Sequence, residues 1–387
     1  MTSVPVGADT RIERITLPDS TTAWEIAGYD TVRHLLGDQR LSLNRKHSTS
    51  GYTGLSLPPA LDANLLNMDP PEHTRIRKLV AAAFTTRRTE ALEPHVRSTC
   101  KELLAALPGQ ADEHGVVDLI PAFTSVIPCR AIADLLGVPV EDTEDFSRWT
   151  TTLVNNATTD PESVKQAAGA IVLYLMKLIA TKRNRPQDDL ISDLIAARDN
   201  RDALTDDELL SLAFLLLGAG YENAANLLTN TLHAVLTSGD LAAEITESLT
   251  RTGTISDPLR ENIIRLHDGV KHAIRRFPTT DIEVGDTVIP SGSTILLATR
   301  ETNAGAQQHL SFGHGIHYCI GASLARLELT TALEEFLTTY PNARLAPDRE
   351  ISLRPSTRVH APNALPTVLG LPRATYSPAT ADLDTLR

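Results

Sequence analysis

The sequence predicts a mainly α-helical protein that forms a single large domain with a minor β-sheet. From Asp69 to about Ile282, apolar residues recur with the period of a helix, interrupted by short clusters of proline, glycine and aspartate. A chain of 387 residues is long enough for two domains. However, no Gly/Ser-rich linker and no repeat of fixed period divides it. We therefore assign residues 1–372 to one domain.

The predicted elements begin near the N-terminus. Residues 22–42 have the pattern of a short strand, a turn at Gly28 and a helix that Gly37 closes. The long helical region follows, and its interruptions at LPGQ, GVPVED and NRPQDD mark the ends of separate helices. The helices of this region account for most of the predicted core.

The C-terminal third combines strands with one further helix. Residues 281–297 have the pattern of a hairpin, with Gly285 and Asp286 at its turn. A glycine-rich stretch follows, and a helix is predicted over residues 320–340. The last residues, 373–387, are small and polar and are predicted to form a loose tail.

Composition excludes several classes of function. The chain carries 36 basic and 48 acidic residues, a net charge of −12, which disfavours nucleic acid and anionic membranes as partners. The longest apolar run, residues 167–176, is too short to span a bilayer, and the N-terminus lacks the pattern of a secretory signal. Three cysteines cannot form a disulfide framework. We therefore expect a cytoplasmic protein with thiol or metal chemistry.

The glycine-rich stretch places a cysteine immediately before a strongly periodic helix. At Cys319 the helix dipole and the free amides would favour a thiolate, and the surrounding glycines allow the backbone to approach a flat ligand. His317 is placed to offer a cation to a carboxylate, and Phe312 to shield the sulfur. Two alternatives remain open at this point: an inert buried cysteine, and a zinc site that adds His309 and His314 to His317 and Cys319.

The same stretch resembles the haem-binding loop of the cytochrome P-450 family. That family's pattern is F-G-x-G-x-H/R-x-C-x-G, and residues 312–321 read F-G-H-G-I-H-Y-C-I-G, with every defining position filled. The resemblance implies haem b as the cofactor and Cys319 as the ligand of its iron. It also implies the cytochrome P-450-like fold for residues 1–372.

A second segment, NMDPPEHTRIRKLV, carries a pair of basic residues. Asp69 is predicted to cap a helix, on which His73 and Arg77 lie four residues apart on one face. Such a pair is most often a solvated surface. The resemblance implies more, because the corresponding helix of the family holds the haem propionates with an H-x-x-x-R pair.

A third segment, residues 205–236, is predicted to be a long helix that begins with a capping box of Thr205 and Glu208. Glycines and polar residues interrupt its apolar centre, which also suits a kinked core helix with a satisfied polar network. The resemblance is to the family's central helix, which crosses the haem with A-G-x-D/E-T. It implies that Ala219 and Gly220 lie at the haem, that Glu222 belongs to the proton relay and that Asn223 replaces a threonine hydroxyl.

Three departures from the family pattern are apparent. The family's E-x-x-R pair is matched here to GVKHAIRRFP, which puts His272 in the place of the glutamate and keeps Arg275. The long connection after the sheet is reduced to Arg300–Gln308. The region between Pro278 and Asp281 lacks the arginine that binds propionate, whereas His309 remains at a position that the family uses for such a contact.

The predicted function is that of a haem-thiolate monooxygenase. The resemblance implies oxidation of a small organic substrate, such as a secondary metabolite, by dioxygen with electrons from a ferredoxin-type partner. His73, Arg77, His309 and His317 would neutralise the propionates. One alternative is a haem enzyme that catalyses cyclisation, rearrangement or peroxide-driven chemistry. Another is a non-catalytic helper of a glycosyltransferase. Residues 45–66 and 148–180 are expected to line the substrate pocket.

Overall fold

The computed structural model describes residues 4–49, 61, 64–154, 160–199 and 204–370. The prediction of a mainly helical single domain is confirmed, and the helices enclose one large hydrophobic core. The predicted tail, residues 373–387, lies outside the described residues. The helices are α1 (Tyr29–Gly37), α2 (Glu72–Ala83), α3 (Thr86–Ala106), α4 (Val126–Leu136), α5 (Thr143–Val154), α6 (Pro161–Asn184), α7 (Leu190–Asp199), α8 (Asp206–Thr237), α9 (Gly239–Thr252), α10 (Asp257–His267), α11 (Thr299–Ala304) and α12 (Ala322–Thr339).

The strands form four small sheets. A mixed sheet has the order β1-β2-β8, in which β2 pairs antiparallel with β1 and parallel with β8. The predicted hairpin is β6-β7, and Gly285 adopts a φ of 56° at its turn, a conformation that favours glycine. The strands are β1 (Arg11–Thr16), β2 (Thr22–Ala27), β3 (Leu41–Ser42), β4 (Val116–Asp118), β5 (Phe277–Pro278), β6 (Ile282–Val284), β7 (Thr287–Ile289), β8 (Thr294–Leu297), β9 (Arg344–Leu345) and β10 (Pro366–Val368).

Helix α8 is the central element of the helical core. Its predicted capping box is present, with the Thr205 hydroxyl accepting from the Glu208 N–H and the Glu208 carboxylate accepting from the Thr205 N–H. The helix packs against α4, α6, α9, α10 and α12. Because neighbours surround it on several sides, it has exposed residues only at its two ends and on one short stretch near the middle.

Helix α12 is anchored to α3 by ion pairs as well as by apolar packing. The guanidinium of Arg97 contacts the Glu334 carboxylate at 3.0 Å and the Glu335 carboxylate at 2.6 Å. The ring of Phe336 packs against Phe123 with a centroid distance of 5.9 Å. These contacts fix the helix whose N-terminus follows the cysteine loop.

The cap predicted for α2 is wrong. The carboxylate of Asp69 accepts hydrogen bonds from the Ser42 hydroxyl at 2.5 Å and from the Leu43 N–H at 3.1 Å. It therefore ties the start of α2 to the end of strand β3 instead of capping the helix. Only the backbone oxygen of Asp69 reaches α2, where it accepts from the His73 N–H.

The helix that precedes the sheet is α10, and this corrects the placement of the E-x-x-R pair. Residues 268–276 contain no helix, and His272 pairs with Glu25 of β2 at 2.6 Å. On α10, by contrast, Arg265 donates to the side-chain oxygen of Asn262 at 2.8 Å. The i,i+3 pair is therefore present as asparagine and arginine, in a helix that ends before the segment GVKHAIRRFP.

Arg265 also holds the shortened connection that follows the sheet. Its guanidinium donates to the carbonyl oxygens of Asn303 and Ala304 at 3.0 and 3.1 Å, at the end of α11. The Asn303 side chain in turn accepts from the Leu310 N–H at 2.6 Å. One arginine thus positions the short loop that leads from α11 to the cysteine loop.

One described helix, α6, is long and apolar enough to cross a membrane by length and composition alone. Its most apolar window has a mean hydropathy of 1.3, and 28% of that window is buried. The helix packs against α5, α7 and α8.

Replacing Arg265 is expected to destabilise the connection between α10 and α11. In Arg265→Met, two backbone carbonyls and the Asn262 side chain lose a charged donor, which we expect to cost about 1–3 kcal/mol. Asn262→Ala removes only one of these bonds and is expected to cost less. Denaturation by urea, with exposed Arg251→Met as the control, measures these differences. Equal stability of Arg265→Met and Arg251→Met would contradict the assignment.

Candidate functional site

The cysteine loop is a tight turn held by its own backbone and by α1. The Cys319 N–H donates to the carbonyl of Phe312 at 2.8 Å, which closes the loop. Gly313 and Gly315 have φ values of 73° and 75°. A Cβ on Gly315 would also lie 3.2 Å from the Cα of Gly37. The loop therefore needs glycine for its conformation and for its close approach to the end of α1.

The sulfur of Cys319 is the accessible thiol of this protein. Cys100 and Cys129 are buried, whereas Cys319 is exposed. Even so, burial of the thiol among neighbouring atoms raises its pKa, while the Gly321 N–H donates to the sulfur and opposes this rise. The positive charges of Arg77 and Arg326 also lower its pKa. A thiol that is both accessible and crowded borders an internal cleft, where a ligand would complete the stabilisation of a thiolate.

The zinc alternative is not supported. Among residues 4–49, 61, 64–154, 160–199 and 204–370, no group of three or more His, Cys, Asp or Glu side chains could hold a metal ion. His314, a member of the hypothetical set, is placed against α1, where its ring lies near Gly37.

The cysteine loop is flanked by the predicted basic residues His73, Arg77 and His317. The rings of His73 and His317 are 4.2 Å apart between centroids. Arg77 donates to the carbonyl of Tyr318 at 2.5 Å. Burial lowers the pKa of His73 and of Arg77. The pKa of His317 falls to about 3, chiefly by burial and further by its cationic neighbours.

Arg276 is a member of this cluster that the sequence analysis missed. It immediately precedes strand β5, is 4% exposed, and is close enough to His317 to lower that residue's pKa. Burial lowers the pKa of Arg276 itself to about 10. The sequence contains the dipeptide Arg275-Arg276 before a predicted strand, but sequence alone does not show which of the two arginines is buried.

The cluster contains buried nitrogen atoms without partners. Within the described part of the chain, neither Nδ1 of His73 nor Nε of Arg276 makes a hydrogen bond. A buried polar nitrogen without a hydrogen-bond partner is costly, and these nitrogens belong to basic side chains, so the cluster has the chemistry of an anion site. The carboxylates of haem fit this donor set, and the accessible thiol of Cys319 fits its iron. His73, Arg77, Arg276 and His317 are therefore the residues that would hold the carboxylates.

His309 pairs with Glu261 through its Nε2, whereas its buried Nδ1 has no hydrogen-bond partner within the described residues; its predicted contact with the same anion stays a prediction. Its Nε2 lies 3.1 Å from the Glu261 carboxylate, which also accepts from Arg326 at 2.7 Å. These bonds lower the pKa of Glu261 to about 2 against the opposing effect of its burial. His309 therefore joins α10 to α12.

Phe312 lies between the cysteine loop and α12. The guanidinium carbon of Arg326 is 4.5 Å from the centroid of the Phe312 ring, a favourable cation–π geometry. The ring also lines a cavity of about 520 Å³, whose wall includes residues of α10, the short connection and α12. The cavity is lined by Pro258, Glu261, Asn262, Arg265, Gln307, Gln308, His309, Phe312, Tyr318 and Arg326.

The middle of α8 presents the second half of the site. Ala219 and Asn223 are exposed, although they lie on a helix that is otherwise packed by its neighbours. Being four residues apart, they share one face, so this face of α8 is accessible to a ligand. Glu222, on the same turn, is held by Arg358, whose Nη2 donates to its carboxylate at 2.8 Å.

Gly220 also has a packing role. A Cβ at this position would lie 3.1 Å from the Cδ1 of Ile132. The absence of a side chain therefore serves the packing of α8 against α4, and the place of Gly220 at the haem stays a prediction. Ala219, one residue earlier, occupies the accessible position.

Comparisons with known proteins agree with this geometry. The family model described as cytochrome P450 matches residues 145–304. Mycinamicin IV hydroxylase/epoxidase of Micromonospora griseorubida is 34% identical over 92% of this chain and 92% of its own length. Vitamin D(3) 25-hydroxylase of Pseudonocardia autotrophica is 35% identical over 94% of this chain and 92% of its own length.

A solved structure shows the same fold. The ligand-free P450 monooxygenase TamI superimposes with a TM-score of 0.81 and 38% sequence identity, and the match covers 94% of this chain and 89% of that one. The similarity therefore extends over the helical core and the small sheets, not over the cysteine loop alone.

Removing the buried charge of Arg276 is expected to separate folding from haem retention. Arg276→Met removes a buried guanidinium whose Nε has no hydrogen-bond partner among the described residues, so the haem-free protein should be at least as stable as the wild type. Haem should dissociate about tenfold faster or more, because a charged hydrogen-bond donor to its carboxylate is lost. Urea unfolding of the haem-free protein and transfer of haem to an acceptor protein measure the two effects.

The neighbouring substitution Arg275→Met serves as the control for this prediction, because Arg275 is partly exposed. If both variants release haem at the rate of the wild type, Arg276 does not contact the cofactor.

Proposed function

The chain belongs to the cytochrome P450 family, and on this premise we propose that it inserts oxygen from dioxygen into a small organic substrate of secondary metabolism. As a family member it is a haem-dependent oxidoreductase. Relatives in this similarity range support the finer proposal. They include the mycinamicin IV hydroxylase/epoxidase, the monooxygenase PikC of Streptomyces venezuelae, at 35% identity over 92% of this chain, and the 6-deoxyerythronolide B hydroxylase of Saccharopolyspora erythraea.

The observation that carries the proposal is the environment of Cys319. Haem, when bound, supplies an iron that activates dioxygen, and a thiolate ligand promotes cleavage of the O–O bond. Burial raises the pKa of the Cys319 thiol, whereas the N–H of Gly321 and the charges of Arg77 and Arg326 oppose this rise and would stabilise a thiolate. An accessible sulfur with these neighbours suits the role of an iron ligand better than that of an inert thiol.

The basic cluster supports the same proposal. His73, Arg77, Arg276 and His317 would bind the carboxylates of the cofactor and exclude water from its edge. Because Arg77 also donates to the Tyr318 carbonyl next to Cys319, it links the anion site to the sulfur. A single side chain would then fix both the orientation of the cofactor and the loop that holds its iron.

Proton supply to the oxygen pocket is assigned to Glu222 and Asn223. The Glu222 carboxylate is paired with Arg358, which is 58% exposed and connects it to solvent-accessible surface. The Asn223 amide is exposed on the same turn and can donate a hydrogen bond. An amide cannot pass on a proton as a hydroxyl does. Protons would therefore reach the pocket from Glu222 through water.

A hydroxyl at position 223 is expected to improve the coupling of reductant consumption to product formation. In Asn223→Thr, a hydroxyl can relay protons from the region of Glu222, so the share of reductant lost as hydrogen peroxide should fall severalfold. The ratio of product to consumed reductant measures this effect, and Thr237→Ser on the exposed end of α8 is the control. An unchanged ratio would mean that Asn223 does not limit proton supply.

The alternative chemistry is tested with the wild type. Cyclisation, rearrangement or peroxide-driven turnover would proceed without a reductant or without dioxygen, and Asn223 is the residue that favours this alternative. If the wild type converts its substrate in the absence of both, the monooxygenase proposal fails.

We further propose a ferredoxin-type electron donor and a cytoplasmic location. The cavity beside the cysteine loop is flanked by Arg260, Arg265 and Arg326 around Glu261. In a chain with a net charge of −12, this is a local excess of positive charge suited to an acidic partner. All three cysteines are free thiols, which agrees with a reducing compartment. The rate of reduction by a ferredoxin should fall with ionic strength.

The absorption spectrum of the reduced, carbon-monoxide-bound protein is the decisive test of the cysteine ligand. The wild type is expected to show the band typical of thiolate-ligated haem, and Cys319→Ala should lose it because no other thiol is accessible. Cys129→Ala, which removes a buried thiol, should retain the band. A band that survives in Cys319→Ala, or is absent from the wild type, would overturn the proposed ligand.

A further inference from the structure

The side chain of Arg358 pairs with Glu222 and is available for a role beyond proton supply. Its Nη2 donates to the Glu222 carboxylate at 2.8 Å, yet its side chain is 58% exposed, while that of Glu222 is 20% exposed. Within the described part of the chain, the guanidinium makes no other hydrogen bond. Arg358 therefore keeps N–H donors available to a ligand.

The backbone that carries Arg358 is fixed against the centre of the molecule. The Arg358 carbonyl accepts from the Lys271 N–H at 2.9 Å, and the His360 N–H donates to the Gly269 carbonyl at 2.8 Å. The Asn230 side chain, two turns after Glu222 on α8, donates to the His360 carbonyl at 2.7 Å. The guanidinium is thus presented from a fixed segment and not from a loose surface loop.

The guanidinium lies beside the accessible face of α8. Its partner Glu222 is on the same helical turn as Ala219 and Asn223, which are exposed on a helix that packs against several neighbours. The ion pair of Glu222 and Arg358 is therefore next to this face. A substrate that lies against the middle of α8 would be within reach of Arg358.

The local balance of charge favours an anionic ligand. Besides Arg358, the neighbouring segments contribute Arg354, whose charge reaches the phenol of Tyr221, and Lys271, which donates to the Ser356 carbonyl at 2.7 Å. Glu222 is the carboxylate that pairs with Arg358. Among these side chains the cations therefore outnumber the carboxylate, although the whole chain has a net charge of −12.

We propose that Arg358 binds an acidic group of the substrate, such as a carboxylate, and so determines the class of substrate. The planar guanidinium can offer two parallel N–H donors to a carboxylate, while Glu222 holds the guanidinium in position between substrates. The inference rests on the proposed function and deepens it by naming the substrate class. Glu222 is here a positioning residue that also competes with the ligand for the guanidinium.

The test is a comparison of binding by matched probes to the haem-loaded protein. Phenylhexanoate and dodecanoate are each compared with the corresponding carboxamide and with the corresponding alkyl trimethylammonium ion, which cannot ligate iron. Dissociation constants are measured by calorimetry and by the change in the haem absorption band. The acids should bind about tenfold more tightly, or more, than the amides.

Three variants sharpen the test. Arg358→Gln should weaken acid binding about tenfold or more and leave amide binding unchanged. Glu222→Gln should tighten acid binding severalfold, because a competing carboxylate is removed. Arg349→Gln breaks a surface pair with Asp112 of similar length, 2.9 Å, and should change neither constant.

Two results would overturn the inference. One is that neither acid binds more tightly than its amide to a protein that retains the thiolate-type carbon monoxide band. The other is a preference for the trimethylammonium probes that is lost in Glu222→Gln. Failure of the proposed function is distinguishable from both, because the carbon monoxide band would then be absent from the wild type.

Discussion

The guanidinium of Arg276 and the imidazole of His73 are buried beside the cysteine loop with nitrogen atoms that no residue of the described chain satisfies. Burial of polar nitrogens without hydrogen-bond partners opposes folding, and the surrounding packing of β5, α2 and the loop must outweigh it. The same arrangement makes the bound anion a structural component. It links the cofactor to the positions of Arg77, His317 and Cys319, so that folding energy and cofactor affinity are coupled at one place.

The parts of the fold that depend on local pattern were predictable. The capping box at Thr205, the hairpin at Gly285 and the cysteine loop each follow from residue types at fixed spacing. The burial of Arg276 and the packing of Gly220 against Ile132 were not predictable, because both depend on neighbours that are distant in sequence. Sequence therefore predicts the parts of the site that a single segment forms, such as the cysteine loop. It does not predict the parts that form where two distant segments pack together.

The misplaced E-x-x-R pair has a related cause. The sequence offered an arginine at position 275 in a segment that resembles a helix end, but α10 ends at His267 and the chain then runs irregularly to the sheet. The functional arginine is Arg265, and its partner is an amide instead of a carboxylate. Arg265 still binds the backbone of the shortened connection between α11 and the cysteine loop. The connection is therefore shorter than in the family pattern but remains fixed to α10.

The contact between Gly315 and the end of α1 joins residues near opposite ends of the chain. Local segments such as α8 can form while the polypeptide is still being made, but this contact cannot. The seat for the cofactor is therefore completed only after the C-terminal part has left the ribosome. We therefore expect haem to bind late in the biogenesis of this protein.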